Sequence, residues 1–450
     1  MENSGNVEKQ PDEERLVAAE KKTATLSNCT WQLHHEQRQV LDELFNPVFK
    51  FARYFGGHLP RKDLNPCRYY CHLLFLLTIA GFALYQLGYI FVYVVSEADY
   101  NVTTASTLVV LTWHFQAVLS LFFLIYWQEK GYFVRIFKKV HVPNGSAGCK
   151  RTKRSIRILF WTFIAVAMSI FVMLALEMCM VMFDHHYYVI FDVEAYNMCM
   201  VMFDHHYYVI FDVEAYNAYG NYMLIPFGSL IAFYTFIFWI IAMLIYISMT
   251  IAVNGELTYF NEELAKLGDK SDPENARDIG SELLLLYHKH CKLSDLVREL
   301  DNTFEVYTFA MIGTNIPTTI FSLLAFFVNL RISWWNVLFA TPSVVCCILS
   351  MVGLTTVPAR LHSSISKVEK ILYGIKCIWL PYSAKNYQVA HLFISHVNQT
   401  NLGISVWGFA VVTKPLILTT ISLTITYLSF FLQMRSTCNN SSCVTNATLQ

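Results

Sequence analysis

The sequence predicts an all-α membrane protein with seven transmembrane helices, N-terminus cytosolic and C-terminus extracellular. Three observations predict it. Of the 450 residues, 55% are hydrophobic and only 15% charged, where a soluble domain carries about 25% charged residues. The apolar residues fall into seven blocks, each long enough to cross a bilayer, which takes about 20 residues at about 1.5 Å of rise each. Finally, 29 of the 33 Lys and Arg residues sit in alternate gaps between the blocks, and positive loops stay in the cytosol.

The elements follow in chain order. Residues 1–70 form a cytosolic segment with ten basic residues and no apolar run behind a basic start. The first span is therefore expected to act as its own insertion signal. Spans one to four occupy 71–95, 105–127, 156–183 and 222–253. The gap after the second holds eight basic residues, among them Lys138, Lys139, Lys150 and Arg151, whereas the gaps after the first and third hold none. Within 71–253 lies an exact tandem duplication, 178–197 repeated as 198–217. Solenoid repeats are several and diverged, so two identical copies predict a lengthened outer loop or an extended third helix.

Segment 254–304 is a cytosolic helical loop with six basic residues, and 358–410 a second such segment with five. In the first, Leu283, Leu286, Leu293, Leu296, Val297 and Leu300 recur at helical spacing. In the second, Ile365, Val368, Ile371, Leu372 and Ile375 do the same. Both read as amphipathic extensions of the membrane helices, which must bury their apolar stripes within the subunit or against another one. Between them, 305–357 carries spans five and six (305–329 and 333–357), and 411–434 is the seventh. Lys414-Pro415 predicts a break that divides the last helix into an inner piece and a second piece.

The tail, 435–450, is short and polar. Acceptor sequons at Asn101, Asn439, Asn440 and Asn446 lie on the predicted outer side. Those at Asn28, Asn144 and Asn398 lie inside and are expected to stay bare. There are twelve cysteines and no CxxC pair. Cys71, Cys179, Cys346 and Cys347 read as small buried hydrophobes, while Cys438 and Cys443 are candidates for a disulfide outside the cell.

Several function classes are excluded or disfavoured. No basic stripe on a polar face marks a nucleic-acid partner. No nucleophile–base set or phosphate-binding loop is evident, so no enzyme and no cofactor is expected. His185-His186 lacks a third ligand at suitable spacing, so no metal is expected. In the second span Trp113 and Gln116 share a face beside His114, a candidate ligand pocket of mixed aromatic and polar character. The competing reading is helix–helix hydrogen bonding. Trp334 and Trp335 open the sixth span, where tryptophan suits the membrane interface.

The stretch leading into and through the last span reads GISVWGFAVVTKPLILTTISLTITYLSFFLQM over 403–434. Gly408-Phe409, then a long apolar stretch, Thr426-Tyr427, five residues and Gln433 resemble the signature of the insect gustatory receptor family and its nematode relatives. Met434 stands where that signature has Phe. The resemblance implies a ligand-gated, non-selective cation channel for taste, assembled as a homo- or hetero-tetramer in the plasma membrane of sensory neurons. The last helix of each subunit would line the pore, and a small-molecule ligand would bind among the outer helix halves. In that frame Gln433, Phe430, Tyr427 and Thr426 are candidate pore and gate residues, because four copies would form a hydrophobic constriction beside an amide ring. Two alternatives remain open from sequence: a photosensory or peroxide-sensing receptor of the nematode branch, and a receptor signalling through G proteins. The inverted orientation and the lack of Asp-Arg-Tyr after span three oppose the latter.

Overall fold

The computed structural model describes residues 43–57, 66–96, 102–140, 147–187, 224–269, 279–329, 334–380, 382–399 and 402–447. Helix α1 covers 43–54. It is followed by α2 (Pro66–Ser96), α3 (Val102–Glu129), α4 (Tyr132–Lys139), α5 (Ala147–Tyr187), α6 (Leu224–Asp269), α7 (Ile279–Asn329) and α8 (Trp334–Gly374). Next come the short α9 (Lys376–Trp379), α10 (Ala384–Gln399), a two-stranded hairpin β1 (Ser405–Val406) and β2 (Ala410–Val411), and α11 (Lys414–Ala447). Seven of these, α2, α3, α5, α6, α7, α8 and α11, are long and apolar enough to span a membrane.

Helix α6 is apolar all round, so it belongs in the centre of the bundle. Its most apolar window is 72% buried, against 6% for α11. The two extremes define the architecture: α6 is the core of the subunit and α11 lies at its edge. Close approach of α6 and α8 depends on Gly353, where an added Cβ would lie 2.5 Å from the Ile247 side chain.

An aromatic knot joins α3, α6 and α7. The Trp127 ring lies 4.9 Å from Phe304 and 5.0 Å from Tyr307, and Tyr246 lies 5.2 Å from Phe304. Trp127 Nε1 donates to the Thr303 carbonyl at 3.0 Å. Pro358 lies inside α8 and cannot donate to the carbonyl four residues back. That carbonyl, on Leu354, accepts from Tyr246 Oη at 3.4 Å.

The long charged segments are helical extensions of the spans, as their spacing predicts. Leu283, Leu286, Leu293, Leu296, Val297 and Leu300 on α7 are buried, as are Ile365, Val368, Leu372 and Ile375 at the α8 end. They close on each other within one subunit, with Phe393 of α10 between them. Asn254 and Asn261 of α6 pin α8 there: Ser364 Oγ donates to Asn254 Oδ1 at 2.7 Å, and Asn261 Nδ2 donates to the Ser364 carbonyl at 2.8 Å.

At the same end, Glu299 of α7 pairs with Arg135 and Lys139 of α4 at 3.4 and 3.1 Å. Glu43 of α1 pairs with Lys153 of α5 at 2.6 Å, and this ammonium holds the Glu43 carboxyl below the usual carboxylate range. The turn after α1 is held from three helices. His72 Nε2 lies 2.5 Å from the Gly56 carbonyl, Tyr234 donates to the Phe55 carbonyl at 2.6 Å, and Gln128 donates to that of Gly57 at 2.9 Å.

Two expectations need correction. Cys71 is exposed, not buried, because it lies on the outward face of α2; Cys346 and Cys347 are buried as expected. The Lys414-Pro415 break does not divide one helix into two. A hairpin precedes it, and α11 starts at Lys414 with Pro415 in its first turn, where the missing amide hydrogen is not needed. Residues 178–187, the first half of the first duplicate copy, extend α5. The rest of the duplication and Asn101 lie outside the described residues, and the side chains of Cys438, Cys443, Asn439, Asn440 and Asn446 are likewise not described.

Candidate pore helix and polar core

Helix α11 has two unlike faces. Thr420 and Thr424 are buried, and Leu416, Ile417, Leu428 and Phe431 are half-buried. At 3.6 residues per turn these form one stripe, and it packs on α7, with Phe431 6.0 Å from Phe321. On the far side, Ser422, Thr426, Ser429 and Gln433 recur at spacings of four, three and four, all exposed. They fall within a sector of about 60° on the opposite face. Thr426 donates to the Ser422 carbonyl at 2.9 Å and Ser429 to the Ile425 carbonyl at 2.8 Å, which leaves both oxygens able to accept. No formal charge interrupts this stripe.

The four residues singled out by sequence therefore separate. Thr426 and Gln433 lie on the polar stripe. Phe430, 53% exposed, flanks it. Tyr427, 48% exposed, projects about 120° away from Gln433, beside the packed edge. Ser422 and Ser429 complete the stripe and were missed as site residues; their spacing from Thr426 and Gln433 is the signal that finds them.

The hairpin couples α11 to α7. Its turn has Trp407 and Gly408 at φ 50° and 71°, with the Phe409 amide donating to the Val406 carbonyl at 3.1 Å. Positive φ at both central residues is the turn geometry that suits a tight hairpin, and it favours glycine. The Gly408-Phe409 pair thus has a physical role: Gly408 allows the turn, and Phe409 packs 5.9 Å from Trp407 and 6.4 Å from Phe309 of α7. Asp301 of α7 accepts from both the amide and the hydroxyl of Ser405, and the Trp407 amide donates to the Glu305 carbonyl at 3.3 Å.

A second group of polar residues lies in the helix bundle where α3, α7 and α8 meet. Gln116 Nε2 donates to Thr318 Oγ1 at 3.1 Å, Ser350 donates to Asn315 Oδ1 at 3.0 Å, and Ser322 lies 3.4 Å from the Cys347 thiol. Trp113 lies beside Cys347 and stacks on Phe236 at 5.5 Å, which stacks in turn on Trp239 at 5.4 Å. His114 is buried, and its Nε2 has no hydrogen-bond partner among the described residues; neither has Asn315 Nδ2 or Trp239 Nε1. So Trp113 and Gln116 share a polar, aromatic neighbourhood. Asn315, Thr318 and Ser322 are not singled out in the sequence, and Cys347 reads there only as a small buried hydrophobe. They are isolated polar groups in apolar runs, which is the available signal.

A family model described as 7tm chemosensory receptor matches residues 45–437. Among solved structures, the fold is similar to that of the insect olfactory receptor OR5 from Machilis hrabei in complex with eugenol. The TM-score is 0.61 at 10% identity, covering 89% of this chain and 99% of that one. Another structure of that receptor gives 0.57 at 12% identity, covering 88% and 98%. At such identities the likeness is one of fold. A search of curated protein sequences finds no match. The family match is with receptors, not enzymes, and runs from α1 to the end of the last span: the chain belongs to the 7tm chemosensory receptor family.

Proposed function

We propose that this chain is a subunit of a ligand-gated, non-selective cation channel of gustatory type, with its amino end in the cytosol and its tail outside. The observation that carries the reading is the split character of α11: one stripe holds the subunit, while the other presents Ser422, Thr426, Ser429 and Gln433 outward. A neutral polar stripe facing lipid is unfavourable, so it is expected to face protein or water. Four copies around an axis give rings of hydroxyl and amide oxygens. Such rings favour cations over anions and, lacking carboxylates, discriminate weakly among cations. Phe430 beside the stripe supplies the hydrophobic constriction, and Tyr427 is assigned to a contact with the neighbouring subunit. The assembly proposed is a tetramer, of one chain or of two.

The small-molecule site is placed at the polar core around Trp113, His114 and Gln116. Its donors without partners among the described residues, Asn315 Nδ2 and Trp239 Nε1, and the Trp113–Phe236 stack suit a neutral, aromatic ligand that accepts hydrogen bonds. The receptor OR5, whose fold is similar, is described in complex with eugenol, a ligand of that class. The test is ligand-evoked current in cells expressing the full chain, with Gln116→Ala as the comparison. A current within milliseconds without G-protein activity, with a weakened ligand response in the variant, supports the reading. A current that needs G proteins, or that follows ultraviolet light or peroxide alone, supports the competing readings instead.

A further inference from the structure

Cys67 and Cys71 are both exposed free thiols, one helical turn apart at the start of α2. Their face continues into the bundle as Leu74 (67% exposed), Phe75 (49%) and the exposed Thr78. The spacing of four, three, one and three keeps all five on one side of the helix. The opposite side is committed to the protein: Tyr69, Leu76 and Ala80 are buried, and His72 holds the Gly56 carbonyl. This last contact also places the two thiols at the end of the bundle that carries the Glu43–Lys153 pair and the Glu299 pairs with Arg135 and Lys139. Arg61, Lys62 and Arg68 flank them in sequence, a pattern that suits the anionic inner leaflet.

We propose that Cys67 and Cys71 are sites of S-acylation by a long-chain fatty acid. An outward-facing thiol at the head of an apolar, membrane-facing lane, next to basic residues, is the setting in which juxtamembrane cysteines are acylated. The thiol sulfur attacks the thioester carbonyl of a long-chain acyl-coenzyme A. A new sulfur–carbon bond forms, the coenzyme A thioester breaks, and the cysteine proton leaves with the coenzyme A thiol. No oxidation or reduction occurs. The attached chain then lies along Leu74 and Phe75 and ties the α1–α2 turn to the inner leaflet. Cys346 and Cys347, buried between α7 and α8, are not available for this chemistry. The inference rests on the cytosolic placement of the amino end.

The experiment is metabolic labelling of cells expressing the full chain with an alkyne-bearing palmitate. The wild type is compared with Cys67→Ser, Cys71→Ser and the double variant, and a Cys→Ala pair is carried alongside in case the serine pair fails to fold. The expected result is a label removed by neutral hydroxylamine, reduced about twofold in each single variant and lost in the double one. Wild type without label, or a double variant labelled as the wild type is, overturns the proposal. A membrane-impermeant maleimide applied before and after permeabilisation, once hydroxylamine has freed the thiols, separates the two ways of failing. If the pair reacts only after permeabilisation yet carried no acyl label, the orientation stands and the acylation falls. If the pair reacts in intact cells, the orientation falls, and the acylation with it.

Discussion

Asp301 and Ser405 are joined twice: Oδ1 of Asp301 accepts the Ser405 amide at 2.6 Å and its hydroxyl at 2.9 Å. Ser405 Oγ in turn accepts the Gly408 amide at 3.1 Å. The glycine of the Gly-Phe pair is thereby tied to the longest of the described helices, a few residues before the last helix begins. The clasp is thus a second link between α7 and α11, beside the direct packing of Phe431 on Phe321. Ser405→Ala removes the hydroxyl but leaves the amide bond, whereas Asp301→Ala removes both. Hydrogen bonds to a charged group contribute about 1.5–3 kcal/mol each. The expected outcome is a modest loss of ligand-evoked current for Ser405→Ala and a severe one for Asp301→Ala, at matched surface expression. In the double variant the serine change should add little beyond Asp301→Ala, since both act on one network.

Tyr246 and Pro358 form a pair of a different kind, in which a side chain takes over a backbone bond that the proline cannot make. Tyr246→Phe is expected to cost about 1 kcal/mol in the thermal stability of the purified receptor. In a Pro358→Ala background the helix satisfies its own Leu354 carbonyl, so the same substitution should cost less. Equal costs in both backgrounds, measured by thermal unfolding in detergent, would contradict the pairing.

The polar core predicts a separation of binding from conduction. Thr318→Val leaves Gln116 without its partner, and combining it with Gln116→Leu removes both ends of the bond at once. Because a buried unsatisfied donor costs about 1–3 kcal/mol, Thr318→Val should weaken the folded receptor more than the double variant does. Both should raise the ligand concentration for half-maximal current while leaving the permeability ratio of sodium to potassium unchanged.

His396 of α10 lies 3.9 Å from the Cys291 thiol, with its ring 5.7 Å from that of His290 and with Arg298 and Asp295 nearby. Burial, and then the Arg298 guanidinium, hold its pKa below the usual imidazole range. The unfolded chain therefore takes up a proton more readily than the folded one, and stability rises with pH wherever the two differ. The contribution is complete above about pH 6.5, the ordinary value for an imidazole, and is lost as pH falls through the folded value. His396→Gln should flatten the acid side of the stability profile relative to wild type. An unchanged slope would show that His396 titrates normally.

The broad plan of the molecule was legible because two strong periodic signals agree. Apolar blocks mark the spans, and leucines at helical spacing among charges mark their extensions, Leu283 to Leu300 being the clearest. The hairpin was not legible. Its strands have two residues each, too few to show alternation, and its left-handed turn is shared between Gly408 and a tryptophan, a residue that gives no turn signal. Pro415 is legible as punctuation but not as a helix start, since a proline in the first turn and one at a break between two helical pieces look alike in sequence. Cys71 was misread because an apolar helix in a membrane protein has an outward face as apolar as its core. The stripe on α11 was half visible: Thr426 and Gln433 stood out within the family signature, while Ser422 and Ser429 needed the packed face to be known before their side of the helix meant anything.

The most direct measurement is accessibility of single cysteines along α11 during ligand-evoked current. Cysteine is introduced in turn at Ser422, Thr426, Ser429 and Gln433, and at Thr420 and Thr424, with the unmodified chain correcting for native thiols. A small cationic thiol reagent is applied with the ligand present. The expected result is irreversible loss of current at the first four positions and none at Thr420 or Thr424, which pack on α7. Equal insensitivity at all six, or block at Thr420 and Thr424 alone, would place the ion path elsewhere than along the Ser422–Gln433 stripe.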